Sequence, residues 1–185
     1  MRINSGIFRG RILKSPQTAL THPMGDREKL ALFNSLSSTI SLDGISVLDC
    51  YAGSGALGLE ALSRGASTAT FIEKDKTAIT TIKENVSALG LLPNTKIIKS
   101  STQNFLETNS SKFDLILLDP PYDHFDTEFS PAVATAIPRI LSKNGIVALS
   151  HPAAVDIAAL FPGLELISTK KYAAAHISLY KAQEA

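Results

Sequence analysis

The sequence predicts an α/β fold with a mostly parallel sheet wound by helices, and three observations carry that expectation. Short apolar strands alternate with helical segments from Ile45 onward. A glycine-rich turn sits where the first of these strands meets its helix, at residues 49–58. Apolar residues make up 44% of the 185, with Ala, Ile, Leu and Val dominant and no Trp. A parallel sheet is covered on both faces and is built from such near-continuous aliphatic runs, and a chain of this length supports one sizeable core with no room for a second full domain.

Residues 1–14 read as two short strands around Ser5-Gly6, because glycine turns a stretch in which apolar and charged residues alternate. Asp26 can cap a helix running to about Ser37, with Leu30, Phe33 and Leu36 at helical spacing. Residues 1–40 thus form an N-terminal hairpin and helix, ahead of a main domain at 41–185. That domain opens with strand ISVLDC, a helix from about Gly55, strand TATFIE, a helix over 75–89 and strand TKIIK, a βαβαβ pattern. It continues with a short helix at 102–106, strand FDLILL, a helix at 131–141, strand GIVALS and a short helix at 153–160. LELISTKKY and AAHISLYKA lie too close together for a parallel crossover, so they end a seven-stranded sheet as an antiparallel pair.

The formal net charge of +1 gives no global field toward nucleic acid, so any such affinity must come from a local patch. Arg2, Arg9, Arg11 and Lys14 supply one, in fourteen residues without an Asp or Glu; a solvated basic hairpin is the plainer alternative. The single cysteine, Cys50, excludes an intramolecular disulfide and a cysteine-clustered zinc site. His22, His124, His151 and His176 lack metal-ligand spacing, so no metal is expected. Residues 1–10 lack the apolar stretch of a signal peptide, and no run approaches the roughly 18 apolar residues of a membrane helix, which predicts a cytoplasmic protein.

Gly53, Gly55 and Gly58 of the turn permit a tight bend and close approach of a ligand to the backbone, and free N–H groups at the helix start favour a carboxylate. Glu73 closes the next strand about 20 residues on, where an acid accepts hydrogen bonds from ribose hydroxyls. Such a loop also suits a nicotinamide dinucleotide. Here, however, the strand ends in Asp49, and Asp-x-x-x-Gly-x-Gly resembles motif I of the class I methyltransferases, whose ligand, S-adenosylmethionine, carries an ammonium and a carboxylate. An acid beside the ammonium makes electrostatic sense.

Asp119, Pro120, Pro121 and Tyr122 follow the fourth strand and should face the glycine loop across the sheet's switch point. Two prolines withhold two N–H donors, leaving carbonyls and the Asp119 carboxylate as acceptors. An exocyclic amino nitrogen is a poor nucleophile because its lone pair is delocalised into the ring. If Asp119 and the Pro120 carbonyl each accept one N–H, the nitrogen is drawn toward tetrahedral geometry and its lone pair can meet the methyl group. Tyr122 can stack on the flipped base. A rigid strand-ending turn is the structural alternative.

With these motifs, the whole chain resembles the RsmD family, the 16S rRNA guanine-N2 methyltransferases. The resemblance runs through R-I-x-x-G-x-x-R-G-R from Arg2 to Arg11, Asp26-Arg27, Leu32-Phe33-Asn34, G-S-G-A-L-G-L-E-A-L-S-R-G-A from Gly53 to Ala66, F-I-E and D-P-P-Y. It implies a class I S-adenosylmethionine-dependent methyltransferase fold and methylation of a guanine N2 in small-subunit rRNA, in an assembling particle, by a monomer. Carried over by position, Asp49, Tyr51, Gly53, Ser54, Gly55, Glu73, Lys74, Ser101 and Thr102 would surround the cofactor. Residues 119–122 would hold the guanine, and His22, Arg27 and His124 would join the basic arm in contacting RNA. The chain departs from the family pattern at His22-Pro23-Met24, usually Arg-Pro-Thr, at Leu30, usually an acid, and at Ser150-His151, where an acid is usual. A DNA adenine-N6 methyltransferase and a non-catalytic RNA-binding module are the competing readings, because D-P-P-Y serves either amino group and a cofactor pocket can be vestigial.

Overall fold

The computed structural model describes residues 1–16, 24–122, 125, 129–172 and 176–183. Its elements are α1 (Asp26–Ser37), β1 (Ser46–Asp49), α2 (Ala56–Ser63), β2 (Thr68–Glu73), α3 (Lys76–Ala88), β3 (Thr95–Lys99), α4 (Thr102–Thr108), β4 (Phe113–Leu118), α5 (Pro131–Ile140), β5 (Leu141–His151), β6 (Leu164–Lys171) and β7 (His176–Ala182). The seven strands form one sheet in the order β3-β2-β1-β4-β5-β7-β6. β1 to β5 are joined by parallel pairings, whereas β7 runs antiparallel to both β5 and β6. The chain winds outward from β1 to β3, then returns to lay β4 on the other side of β1. The carboxyl ends of β1 and β4 therefore flank the switch point, where open α/β sheets bind ligands.

The strand pleat divides the core into two. Val47, Leu115, Leu117, Ile146 and Ala148 face one side, packed with residues of α1 and α2 and with Ile3 and Leu13 of the N-terminal arm. Leu48, Ile116, Leu118, Val147 and Leu149 face the other, with α4 and α5. This alternation, with both faces buried, explains why β4 reads as an apolar run broken only by Asp114, whose carboxylate accepts from the Ser46 N–H and hydroxyl. It also gives Asp49 at the end of β1 the same facing as Val47, toward α1 and α2.

Four local expectations require correction. Asp26 is the first helical residue of α1 and not its cap; the N-cap is Gly25, which makes no side-chain cap. The Asp26 carboxylate instead accepts the Arg2 N–H at 3.2 Å and pairs with Arg2 Nε at 3.5 Å. The arm is not a two-residue hairpin. Its strands meet through Arg2 and Ile12, with Ile3 N–H to Arg11 O at 2.9 Å and Leu13 N–H to Met1 O at 3.0 Å, and the connection is wrapped onto α2. Asn4 and Ser5 donate N–H to Glu60 at 2.7 and 3.1 Å, and Ile7 N–H reaches Ser63 O at 2.8 Å.

Residues 153–160 form turns and no helix. Prolines at 152 and 162 bracket them, and the Tyr180 hydroxyl takes the Ile157 carbonyl at 3.0 Å, an acceptor a helix would use internally. β5 begins at Leu141, earlier than GIVALS, because Leu141 already pairs with Phe113 before a register shift.

Candidate active site at the switch point

The turn after β1 is built by its glycines. Gly53 and Gly55 have φ of 54° and 79°, the left-handed region that glycine occupies without steric cost. A Cβ on Gly53 would meet open space, whereas one on Gly58 would stand 2.4 Å from Phe71 Cε1. Gly53 thus exposes backbone to a ligand, and Gly58 lets α2 lie close on β2. Ala56 and Leu57 open α2, where N–H groups have no intrahelical acceptor.

Glu73 braces this loop. Its Oε2 accepts the Gly53 N–H at 2.8 Å, and its Oε1 accepts those of Lys74 at 2.8 Å and Asp75 at 2.9 Å. A carboxylate has about four acceptor positions, so one remains for a ligand hydroxyl. Asp49 is 1% exposed. Its Oδ2 accepts the Gly58 N–H at 3.0 Å, while its Oδ1 is buried without a partner among the described residues. Burial pushes its carboxyl up to about 7; the Gly58 bond opposes the rise, and the nearby Asp119 and Glu73 charges add to it.

The other cofactor candidates are arranged around this loop with some of their side chains already engaged. Ser54 donates its hydroxyl to Met1 Sδ at 3.3 Å, and its carbonyl accepts from Asn85. Thr102 donates to the Cys50 carbonyl, tying α4 to the turn, and Ser101 caps α4 by accepting the Asn104 N–H at 3.2 Å. Tyr51 is half-buried against the α4 and α5 core, and Lys74 is exposed beside Glu73.

Across the switch point, Leu118 pairs with Leu149, so Asp119 and Ser150 stand abreast just beyond that pair. Asp119 is half-buried; burial raises its carboxyl to about 6 against a lowering hydrogen bond from Ser150. Pro120 is buried and Pro121 half-buried. The Tyr122 hydroxyl lies 2.5 Å from Ser150 Oγ. Burial raises its phenol to about 12, with a lowering contribution from Ser150 and raising ones from the Asp119 and Glu28 charges. From sequence, Ser150 stands out only as a departure from the family's usual acid, with no role attached, and Glu28 reads as an ordinary first-turn acid.

The basic arm is partly neutralised by acids distant in sequence. Arg2 pairs with Asp26, and Lys14 with Glu84 at 3.0 Å. Arg9, Arg11 and Arg27 are exposed and make no ion pair among the described residues. Ile7 and Ile12 stand 80% and 86% exposed on the same arm. Met1 against Ser54 brings the arm to the glycine loop. His22 and His124 lie outside the described residues.

A buried ion cluster joins these parts. Lys29 and Glu60 are both fully buried; Lys29 Nζ lies 3.3 Å from Glu60 Oε2 and donates to the Arg2 carbonyl. Arg64 pairs with Glu60 at 2.8 Å and lies 5.0 Å from the centre of the Phe33 ring. Its sequence signal was the single charge within the apolar helix ALGLEALS.

The buried His151 is spent inside the fold, with Nδ1 on Pro152 O and Nε2 on Ser178 Oγ, both at 2.9 Å. No metal-binding group of three or more His, Cys, Asp or Glu occurs among the described residues, and no helix among them is long and apolar enough to cross a membrane. A mostly apolar cavity of about 550 Å³, lined by Phe129, Ala134 and Leu160, lies between α5 and residues 153–162. It contains none of the convergent acids described above, so the switch point is the better candidate site.

The family described as Conserved hypothetical protein 95 matches residues 1–181. YlbH of Bacillus subtilis, provisionally named an rRNA methyltransferase, is 31% identical over 186 residues, with 98% of each chain covered. Ribosomal RNA small subunit methyltransferase D of Haemophilus influenzae is 41% identical over 129 residues, 68% of this chain and 65% of that one. The solved structure of yhhF from Escherichia coli, provisionally named a methyltransferase, superposes with a TM-score of 0.84 at 28% identity, covering 99% of this chain and 98% of that one. The architecture is the class I S-adenosylmethionine-dependent methyltransferase fold. With a match along nearly its whole length, the chain belongs to the RsmD family.

Proposed function

We propose that this protein transfers a methyl group from S-adenosylmethionine to the exocyclic N2 of a guanine in small-subunit rRNA, acting as a cytoplasmic monomer on an assembling particle. The observation that carries the reading is the placement of the acceptor-rich 119–122 turn beside the glycine loop at one switch point, with Asp119 close enough for its charge to act on Asp49.

The residues present fit the cofactor. The unpartnered Asp49 Oδ1 is a buried acceptor suited to an ammonium group, Glu73 retains an acceptor for ribose hydroxyls, and the open face of Gly53 admits close approach. When bound, the cofactor supplies an electrophilic methyl group on a sulfonium. Asp119 and the Pro120 carbonyl accept the two amino hydrogens and hold the nitrogen lone pair toward that methyl group. Tyr122 stacks on the base. Transfer of that methyl group would leave the nitrogen acidic, and the Asp119 carboxylate, with a pKa near 6, is the group that would take up its proton. The exposed Arg9, Arg11 and Arg27, with Lys14 and Arg2 at the rim, meet RNA phosphates, which suits recognition by shape.

The test is incubation with radiolabelled cofactor and 16S rRNA, separated small subunits or duplex DNA, followed by nucleoside analysis. Label in N2-methylguanosine is expected. Label confined to adenine would overturn the base assignment, and cofactor binding without transfer to any of these would favour an RNA-binding module.

A further inference from the structure

We propose that Ser150 is a positioning residue of this site: its buried hydroxyl joins the Tyr122 phenol to the Asp119 carboxylate and holds both toward the incoming base. Three observations place it there. The β4–β5 register ends with Leu118 opposite Leu149, which sets Asp119 and Ser150 abreast. Ser150 is 3% exposed, so its hydroxyl must find partners within the protein. Its Oγ lies 2.5 Å from the Tyr122 hydroxyl.

Donor accounting fixes the direction of the link. An ionised carboxylate only accepts, and a serine hydroxyl has one hydrogen to give. Toward the adjacent Asp119, whose carboxyl it lowers, Ser150 can only be the donor, which leaves its oxygen to accept from Tyr122. The chain runs Tyr122 O–H to Ser150 O–H to Asp119. It orients the carboxylate that meets the amino group and restrains the ring that stacks on the base. Glu28 from α1 and Asp49 from β1 are the other charges facing this pair, and neither donates to it.

The inference rests on reading Asp119 and Tyr122 as the substrate-facing pair, so one readout must not depend on methyl transfer. Titration of the Asp119 carboxyl carbon by NMR provides it. In Ser150→Ala the midpoint should move up from about 6, because the opposing hydrogen bond is gone, and Ser150→Thr should restore it. In single-turnover transfer to 16S rRNA, Ser150→Ala should be slower by about tenfold, the size of one lost hydrogen bond to a charged group, at unchanged cofactor affinity. Tyr122→Phe should slow transfer less, and adding it to Ser150→Ala should cost nothing further, since the link is already broken.

An Asp119 titration indifferent to Ser150→Ala would overturn the link, as would strictly additive effects of the two substitutions. If the titration moves and Ser150→Thr restores it while the unaltered protein methylates no nucleic acid, the link stands and the functional reading falls. If the unaltered protein methylates rRNA and Ser150→Ala matches it in both readouts, the link falls and the function stands.

Discussion

Replacing Asp49 by Asn should make the protein more stable at pH 8 and poorer at holding its cofactor. The carboxyl is 1% exposed, has one oxygen without a partner among the described residues, and is raised from 3.8 to about 7, chiefly by burial. A raised carboxyl pKa means the unfolded chain ionises more readily than the folded one. The resulting loss of stability is absent below about pH 4, grows as pH rises, and is complete above about 7. At about 1.4 kcal/mol per tenfold in the ionisation equilibrium, its ceiling is on the order of 4 kcal/mol. Relaxation and water penetration reduce such ceilings, so a gain of about 1–3 kcal/mol is expected for Asn at pH 8. Near pH 4 little difference should remain, because the protonated acid and the amide are close mimics. Urea unfolding of both proteins from pH 4 to 8.5, with cofactor affinity measured by calorimetry, tests this. A stability gap that does not vary with pH, or Asn that is less stable at pH 8, would refute the assignment of a strained, buried carboxylate. Unchanged cofactor affinity would remove Asp49 from the site.

Three further outcomes follow from the same geometry. Glu73→Ala should weaken cofactor binding by about 1–3 kcal/mol; because Glu73 also holds the Gly53, Lys74 and Asp75 N–H groups, faster amide exchange in that loop should accompany the loss, and unaltered calorimetry would exclude the role. Neutralising Arg9 and Arg11 together should lower RNA affinity and flatten its salt dependence by roughly one unit of slope per lost phosphate contact, whereas an unaltered slope would make the arm a solvated surface. In Gly6→Ala, a Cβ built on the present backbone would lie 1.7 Å from Ser63 O at a φ of 83°, so the arm should lift from α2. Loss of exchange protection at the Ile7 N–H, which now reaches Ser63 O, would report it, and retained protection would contradict it.

Much of this fold was legible because its strongest signals are periodic. FDLILL and TATFIE each put buried apolar residues on both faces of the sheet, and the helix expected over 75–89 is α3, with Asp75 as its cap. What misled were positions whose partners lie far along the chain. Asp26 looks like a cap until Arg2 claims its carboxylate, and the Ser5-Gly6 turn is overridden because Glu60 and Ser63 take the backbone around it. Val155, Ile157 and Leu160 suggest a helix, yet they pack individually against the sheet core. At the site, Asp49, Glu73 and Asp119 could be found because they end strands beside recognisable turns. Ser150 is marked in the sequence only as a departure from the family pattern, since its partners depend on the β4–β5 register.

The division of labour between the glycine loop and the 119–122 turn is tested most directly by Asp119→Ala, measured twice on the same preparation. S-adenosylmethionine affinity should stay near that of the unaltered protein, with single-turnover methylation of 16S rRNA slower by about 10²–10³-fold, the range for loss of one preorganised electrostatic partner. Transfer at the unaltered rate, or cofactor affinity falling in step with activity, would contradict it.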